Sequence, residues 1–168
     1  MIFSDANVDH CRTCARSAAL GGSPLRILHA NSGLEAKFCV PFQMASIILC
    51  RRAGLTEFTD EFVQSEACQQ MQRKISAKLD PEIVALGKGQ IVFRIVLTTK
   101  DGQKYTQVSE SVYRGGPKNP LTWDEVSEKF RDCSQKVLTA EDANAFLDLA
   151  KDFETLPDLK QLIDKVLA

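Results

Sequence analysis

Residues 91–112 read IVFRIVLTTKDGQKYTQVSESV, and this stretch decides the fold class. The side chains over 91–99 are largely β-branched and predict the strongest strand of the chain. The Lys-Asp-Gly-Gln sequence at 100–103 carries the Asp-Gly pair that is typical of a type I′ hairpin turn. A return strand over 104–112 is therefore expected, antiparallel to the first.

Outside this hairpin, short strands and helices are predicted on both sides. Alternation predicts a strand over 25–30 and another over 75–79, and apolar spacing predicts helical stretches over about 34–52 and 60–73. Pro41 lies inside the first helical pattern, so that helix either begins near Pro41 or kinks there. We expect an α+β fold, with a small, mainly antiparallel sheet of about four strands and helices packed on one face.

Three helices are predicted to close the chain. The first opens at Thr122, where Thr-Trp-Asp-Glu matches a capping box, and its apolar stripe runs through Trp123, Val126, Phe130, Cys133 and Val137. The second covers about 140–154 and is expected to bury Phe146, Leu149 and Phe153. Pro157 restarts the last helix.

The N-terminal segment over 1–23 shows neither a helical nor a strand period. A Gly-Gly-Ser-Pro sequence at 21–24 lies at the end of this segment and is typical of a structural break. We therefore predict an irregular segment over 1–23, the truncated start of a domain, and one α+β domain over 24–168.

Composition narrows the classes of function. The 168 residues include 21 Lys+Arg and 22 Asp+Glu, and this near-neutral balance argues against a nucleic-acid partner. The longest uncharged run, 38–50, is too short to span a bilayer, and no basic-then-apolar leader opens the chain, so neither a membrane association nor secretion is expected. The six cysteines are accordingly interpreted as reduced thiols of a cytoplasmic protein.

Two segments combine cations with special backbone. Ser32, Gly33, Leu34 and Glu35 match a capping box, whose helix start could hold an anion beside Lys37. Residues 113–120 place Arg114 and Lys118 around paired glycines, a pattern that could clamp a carboxylate. The plain alternatives are a solvated Lys37 with Ser32 as a simple cap, and a strand-to-helix turn with flanking charges.

Cys11 and Cys14 have the spacing of a zinc or redox pair. A structural zinc site needs a second pair of ligands, and a redox pair is expected at a helix start after a strand. Neither context is present in the sequence. Ordinary thiols are the favoured interpretation, and a zinc or redox protein stays a third hypothesis.

Two blocks of motifs resemble the MmgE/PrpD family. The first contains GLEAKF at 33–38, VPF at 40–42 and FTDE at 58–61, and the second contains GPKNPLT at 116–122, Glu125 and KFRDC at 129–133. The order and separation of the blocks are those of the family. The resemblance covers roughly 25–140 and only the C-terminal, lid-like domain of such proteins.

The resemblance implies chemistry on di- or tricarboxylic acids such as 2-methylcitrate. Family members remove a proton next to a carboxylate, need no metal or organic cofactor, and place the active site between the lid and a large helical domain. Because that helical domain carries most of the catalytic residues, we expect these 168 residues to be inactive without a helical partner. An isolated lid would also expose a docking surface, so self-association is expected.

Within this resemblance, Lys37 is the first candidate for substrate contact or proton handling, with electrostatic stabilisation as the simpler role. Arg114 and Lys118 are weaker candidates for substrate binding, and Ser32 is expected to shape the helix start. The alternative hypothesis is a non-catalytic module that binds an acid or another protein and was derived from the same domain.

Overall fold

A four-stranded sheet organises the first part of the molecule. The computed structural model describes residues 8–15, 27–85, 92–110 and 112–167. The strands are β1 (Val8–Ala15), β2 (Ile75–Leu79), β3 (Phe93–Thr99) and β4 (Lys104–Val108), in the spatial order β2-β1-β3-β4. β1 is parallel to β2, whereas the β1–β3 and β3–β4 pairs are antiparallel. The predicted α+β class is confirmed, and the sheet is mixed rather than purely antiparallel.

The hairpin forms where the sequence predicts it, but the predicted type I′ turn is wrong, because that turn requires a positive φ at both central residues and Gly102 alone of 100–103 has one. The N–H of Thr99 donates to the carbonyl of Gln103 over 2.9 Å, and Gly102 has a φ of 84°, a left-handed conformation that glycine adopts without strain. The return strand ends at Val108, four residues earlier than predicted.

The predicted irregular N-terminal segment is wrong over Val8–Ala15, where β1 lies inside the sheet. The pairing register shifts between Val8 and His10, which indicates a bulge. Val8 and Cys11 are consequently both buried although they are three residues apart, and this odd spacing hides the strand period in the sequence. The remainder of the segment lies outside the described residues.

The predicted strand over 25–30 is also not found. Residues 25 and 26 lie outside the described ranges, and 27–30 form a bend rather than a strand. The side-chain amide of Gln72 bonds both the N–H and the carbonyl of Ala30, at 2.8 and 3.2 Å. A glutamine therefore takes the place of a neighbouring strand at this position.

Five helices accompany the sheet within the described part of the first unit, Met1–Tyr113. They are α1 (Gly33–Ala36), α2 (Val40–Cys50), α3 (Asp60–Gln64), α4 (Glu66–Arg73) and α5 (Pro81–Ala85). Pro41 lies in the first turn of α2, which settles the two alternatives for that helix in favour of a start near Pro41. The predicted helix over 60–73 is split at Ser65, whose ψ of 142° is incompatible with a continuous helix.

Two apolar clusters hold these elements together. In the first, Cys11 and Ile75 of the sheet pack with Ala45 and Ile48 of α2 and Met71 of α4. In the second, the fully buried Phe42 lies at the centre of residues from α1 to α4, and its ring meets those of Phe58 and Phe62 edge-on at 5.1 and 6.1 Å.

The second unit, Arg114–Ala168, is helical. Its elements are α6 (Trp123–Ser134), α7 (Ala140–Lys151), a 3₁₀ turn (Phe153–Thr155) and α8 (Lys160–Leu167). The rings of Phe130 and Phe146 stack at 4.8 Å between α6 and α7.

The predicted apolar faces of this unit are largely wrong. α6 buries Ser127 and Ser134, whereas Trp123, Val126 and Cys133 are exposed and Val137 lies beyond its end at 81% exposure. α7 buries Ala143 and Leu147, leaves Phe146 and Leu149 half-buried, and ends before the exposed Phe153. The stack of Phe130 and Phe146 is therefore the part of the predicted faces that packs between α6 and α7, and the small residues Ser127, Ser134 and Ala143 are buried in place of the other large ones. Within the described ranges, no helix combines the length and the apolarity that crossing a bilayer requires.

Candidate functional site

The start of α1 is built by local hydrogen bonds. Ser32 is the N-cap, and its Oγ accepts the N–H of Glu35 over 3.3 Å. The Glu35 carboxylate reaches back and accepts the N–H of Asn31 over 2.7 Å. The predicted capping box is thus present with one change, because the glutamate bonds the residue before the cap rather than the cap itself.

A long-range contact joins α1 to the start of α3. The N–H of Gly33 donates to Oδ1 of Asp60 over 2.7 Å, and a Cβ at position 33 would lie 2.5 Å from the carbonyl oxygen of Phe58. Only glycine permits this approach. Two motif segments of the sequence, 33–38 and 58–61, are therefore in direct contact.

This contact changes the chemistry expected at the helix start. The N–H groups of Gly33, Glu35 and Ala36 are bonded to Asp60, Ser32 Oγ and the Ser32 carbonyl, respectively. A docking anion would find these donors occupied by the chain's own oxygens. The attraction for an anion therefore comes from the adjacent lysine and not from the helix start.

Two glutamines of α4 anchor the segment that leads into α1. Besides the bonds from Gln72, the carbonyl of Ala30 accepts from Nε2 of Gln69 over 3.0 Å. Gln69 also bonds the carbonyl of Val63 over 2.8 Å and the ring of His29 over 2.6 Å. Because Gln72 is only 1% exposed, its two bonds to Ala30 are shielded from water and hold that backbone firmly, whereas Gln69 is half-buried.

Lys37 occupies the junction between α1 and α2. Its φ and ψ of −60° and −24° are helical, its N–H donates to the carbonyl of Leu34, and its own carbonyl accepts from Nε2 of Gln43 over 3.2 Å. The backbone is therefore fixed on both sides. The side chain is exposed and pairs with no carboxylate in the described part of the chain.

Arg114 has a different environment, in the second unit. Its guanidinium donates to both carboxylate oxygens of Glu125, to Oδ1 of Asn119 and to the carbonyl of Pro120. The hydrogen bonds from Arg114, and then from the backbone N–H of Thr122, lower the pKa of Glu125 from 4.5 to about 2. Glu125 also completes the capping box that opens α6. Arg114 is therefore already bonded to a carboxylate of its own chain.

Lys118 lies on the exposed turn that follows. Gly115 has a φ of 87°, and Gly116 and Asn119 form an isolated β-bridge across the turn. This is the geometry of the strand-to-helix turn that was the plain alternative. Ser32 and Lys37 thus share one junction of the first unit, and Arg114 and Lys118 share one turn of the second.

In the first unit Cys11, Cys39 and Cys68 are buried and Cys50 is half-buried. Burial raises the pKa of Cys11 to about 11, which keeps it protonated at neutral pH and leaves it a poor zinc or redox ligand. The side chain of Cys14 lies outside the described residues. Within the described part, no group of three or more histidine, cysteine or acidic side chains is placed to hold a metal ion.

Three residues that build the Lys37 site cannot be identified from the sequence alone. Asp60 stands inside the quoted FTDE segment, but nothing in that segment says what it bonds. Gln69 and Gln72 give no signal, because a glutamine in a helical pattern is normally an exposed residue.

The comparison with protein families decides the assignment. A family model described as the MmgE/PrpD C-terminal domain matches residues 10–155. The chain belongs to this family. The MmgE/PrpD C-terminal domain matched here includes both motif blocks and all four candidate residues, Ser32, Lys37, Arg114 and Lys118. A search of curated proteins finds no match to the chain.

Proposed function

We propose that this MmgE/PrpD C-terminal domain is the lid of a lyase or isomerase that acts on a di- or tricarboxylic acid such as 2-methylcitrate. The observation that carries the proposal is the family match over 10–155, together with Lys37, a cation on an anchored junction of the first motif block that pairs with no carboxylate of the described residues. The reaction would be proton abstraction next to a carboxylate, which needs no metal or organic cofactor.

In this proposal Lys37 binds a substrate carboxylate. A charge-assisted hydrogen bond from an ammonium to a carboxylate is roughly twice as strong as a neutral one. The anchored backbone on both sides of Lys37 supports this role, since only the side chain and not the junction has to be ordered when the substrate arrives. We assign Lys37 electrostatic stabilisation rather than a base role, because a lysine base requires burial and Lys37 is exposed.

The other three candidate residues have weaker or indirect roles in this proposal. Lys118, which is exposed and unpaired in the described part of the chain, stays a weaker candidate for binding a carboxylate at the turn of the second unit. Arg114 would position the turn that carries Lys118, because its own guanidinium is bonded to Glu125. Ser32 would act through the cap that orients α1. The proton-transfer residues would come from a helical domain of the same family.

The test combines the purified chain with a helical-domain protein of the MmgE/PrpD family from the same source. With 2-methylcitrate as substrate, formation of the conjugated double bond is followed by ultraviolet absorbance. We expect turnover only in the mixture, and a large loss in Lys37→Gln. Lys100→Gln is the matched control, because Lys100 is an exposed lysine of the hairpin turn in the same unit. Turnover by the chain alone at ordinary enzymatic rates would refute the lid proposal.

A second candidate function is a module that binds an acid or a protein without turnover. The observation that favours it is that Arg114 and three N–H groups of α1 are bonded to the chain's own oxygens, so these groups stabilise the fold and are not available for a reaction. Saturable binding of 2-methylcitrate with no turnover in any mixture would select this second function.

A further inference from the structure

The sheet has one covered face and one open face. Cys11, Ile75, Ile95 and Leu97 point toward α2 and α4 and pack in the first apolar cluster. Because side chains alternate along a strand, the residues between them lie on the opposite face. The burial of β1 and β2 agrees, since Cys11 and Ile75 are buried whereas Arg12 is exposed and Ser76 is half-buried.

The register places three exposed cations on this open face. Arg12 of β1 is opposite Ser76 and Val96, Lys78 of β2 lies two residues further along β2, and Lys104 of β4 pairs with Thr98. Strand spacing puts the Cα atoms of Arg12 and Lys78 about 8 Å apart and those of Arg12 and Lys104 about 12 Å apart. The three cations form a diagonal row about 20 Å long, which we call the basic sheet face.

Counting Arg94, this face has four cations beside two carboxylates, Asp80 and Glu82, so a surplus of two positive charges remains within the described ranges. A fourth cation, Arg94, pairs with Asp80 over 2.8 Å and with Glu82 over 2.7 Å. Within the described ranges, Arg12, Lys78 and Lys104 pair with no carboxylate. Separations of this size are close to the Debye length of about 10 Å at 0.1 M salt, so the three charges attract an anionic surface together.

The side chains between the cations indicate what kind of surface binds. Val96, Thr98 and Thr106 lie in the row and are small, with no aromatic ring on which a base could stack. The chain's net charge of −1 also disfavours nucleic acid. Cations interspersed with small apolar groups match a protein surface that presents carboxylates and short apolar side chains.

We propose that the basic sheet face binds an acidic helix of a partner protein. A helix of about 13 residues spans the 20 Å row, and glutamates one heptad apart are about 10 Å from each other, which matches the cation spacing. The proposal is independent of the proposed function, because Lys37 belongs to the α1–α2 junction and not to the sheet.

The test uses the full chain and a fluorescein-labelled helical peptide of about 20 residues, with glutamates along one face and alanine and leucine between them. Binding is followed by fluorescence anisotropy at 50 and 300 mM salt. The charge-reversal variant is Arg12→Glu with Lys78→Glu. The matched control reverses two exposed lysines of the second unit, Lys129→Glu with Lys136→Glu, so that both variants have the same net charge.

We expect saturable binding that weakens with salt, a loss of about tenfold or more in the charge-reversal variant, and little change in the control. Lys104→Glu alone should weaken binding by a smaller factor, and it guards against misfolding of the double variant. Equal losses in both double variants, or no binding by the unmodified chain, would overturn the proposal. Tighter binding of a single-stranded DNA oligomer, or of phosphatidylserine vesicles, than of the peptide would also overturn it.

Discussion

Replacing Gly33 by alanine should destabilise the protein, because the new Cβ would lie 2.5 Å from the carbonyl oxygen of Phe58. That neighbour is backbone and cannot rotate away. The start of α1 must therefore move away from the segment 58–60, and the 2.7 Å hydrogen bond from Gly33 to Asp60 stretches or breaks.

The magnitude follows from two contributions. Losing a hydrogen bond to a charged group costs about 1.5–3 kcal/mol, and overpacking a fitted contact costs about 1–3 kcal/mol. A gain of up to about 1 kcal/mol from removing glycine's backbone entropy opposes them. We expect a net destabilisation of about 2–4 kcal/mol, which lowers Tm by roughly 4–16 °C for a chain of this size.

Urea and thermal unfolding, followed by far-ultraviolet circular dichroism, measure this change. The matched control is Leu34→Ala at the next position, where the side chain is 68% exposed and the change should stay within about 0.5 kcal/mol. Asp60→Ala removes the hydrogen bond without the clash, so its effect and that of Gly33→Ala should add up to more than the effect of the double variant.

The sign of the change in unfolding free energy shows whether Gly33 and the Phe58 carbonyl approach each other closely. If the close approach did not exist, Gly33→Ala would stabilise the protein by about 0.4–1 kcal/mol, as glycine replacements at unstrained sites do. A variant as stable as the unmodified protein, or more stable, would refute the contact between the two motif segments.

Three further predictions concern other parts of the chain. Because the pKa of Glu125 is lowered from 4.5 to about 2, its contribution to stability is present above pH 4.5 and is lost as the pH falls toward 2. The urea midpoint should therefore fall more between pH 6 and pH 3 in the unmodified protein than in Glu125→Gln. Equal falls in the two proteins would contradict the Arg114–Glu125 ion pair. Among the described cysteines, the exposed Cys133 should react first with a thiol reagent at pH 8. Earlier labelling of one of the buried thiols, Cys11, Cys39 or Cys68, would contradict this order. Large apolar side chains are exposed on the helices of the second unit, so the chain should self-associate in sedimentation velocity at rising concentration, and a strictly monomeric species would count against this expectation.

Sequence reasoning succeeded where structure is determined locally. The hairpin depends on a turn of four residues, and the Ser32 cap depends on a partner three residues away, so both are visible in the sequence. It failed where contacts between residues far apart in the sequence determine the structure. The bulge between Val8 and His10 hides the period of β1 in the sequence. The predicted apolar face of α6 is wrong because Ser127 and Ser134 are the residues that this helix buries.

The candidate site shows the same limit. Lys37 and Ser32 are identifiable because they belong to a dense local motif. Asp60 lies 27 residues from Gly33 and Gln72 lies 42 from Ala30, and neither pairing leaves a periodic signal. The sequence also presents Arg114 as a free cation, whereas Glu125, 11 residues further on, occupies it.

We propose that Lys37, on its anchored junction, binds a carboxylate of the substrate. The most direct test of this proposal is the Kd for 2-methylcitrate, measured by isothermal titration calorimetry with the helical-domain protein present. We expect Lys37→Gln to weaken binding by at least about tenfold, corresponding to loss of a charged hydrogen bond of about 1.5–3 kcal/mol, and Lys100→Gln to leave it unchanged. Equal affinity in the unmodified protein and Lys37→Gln would contradict the claim.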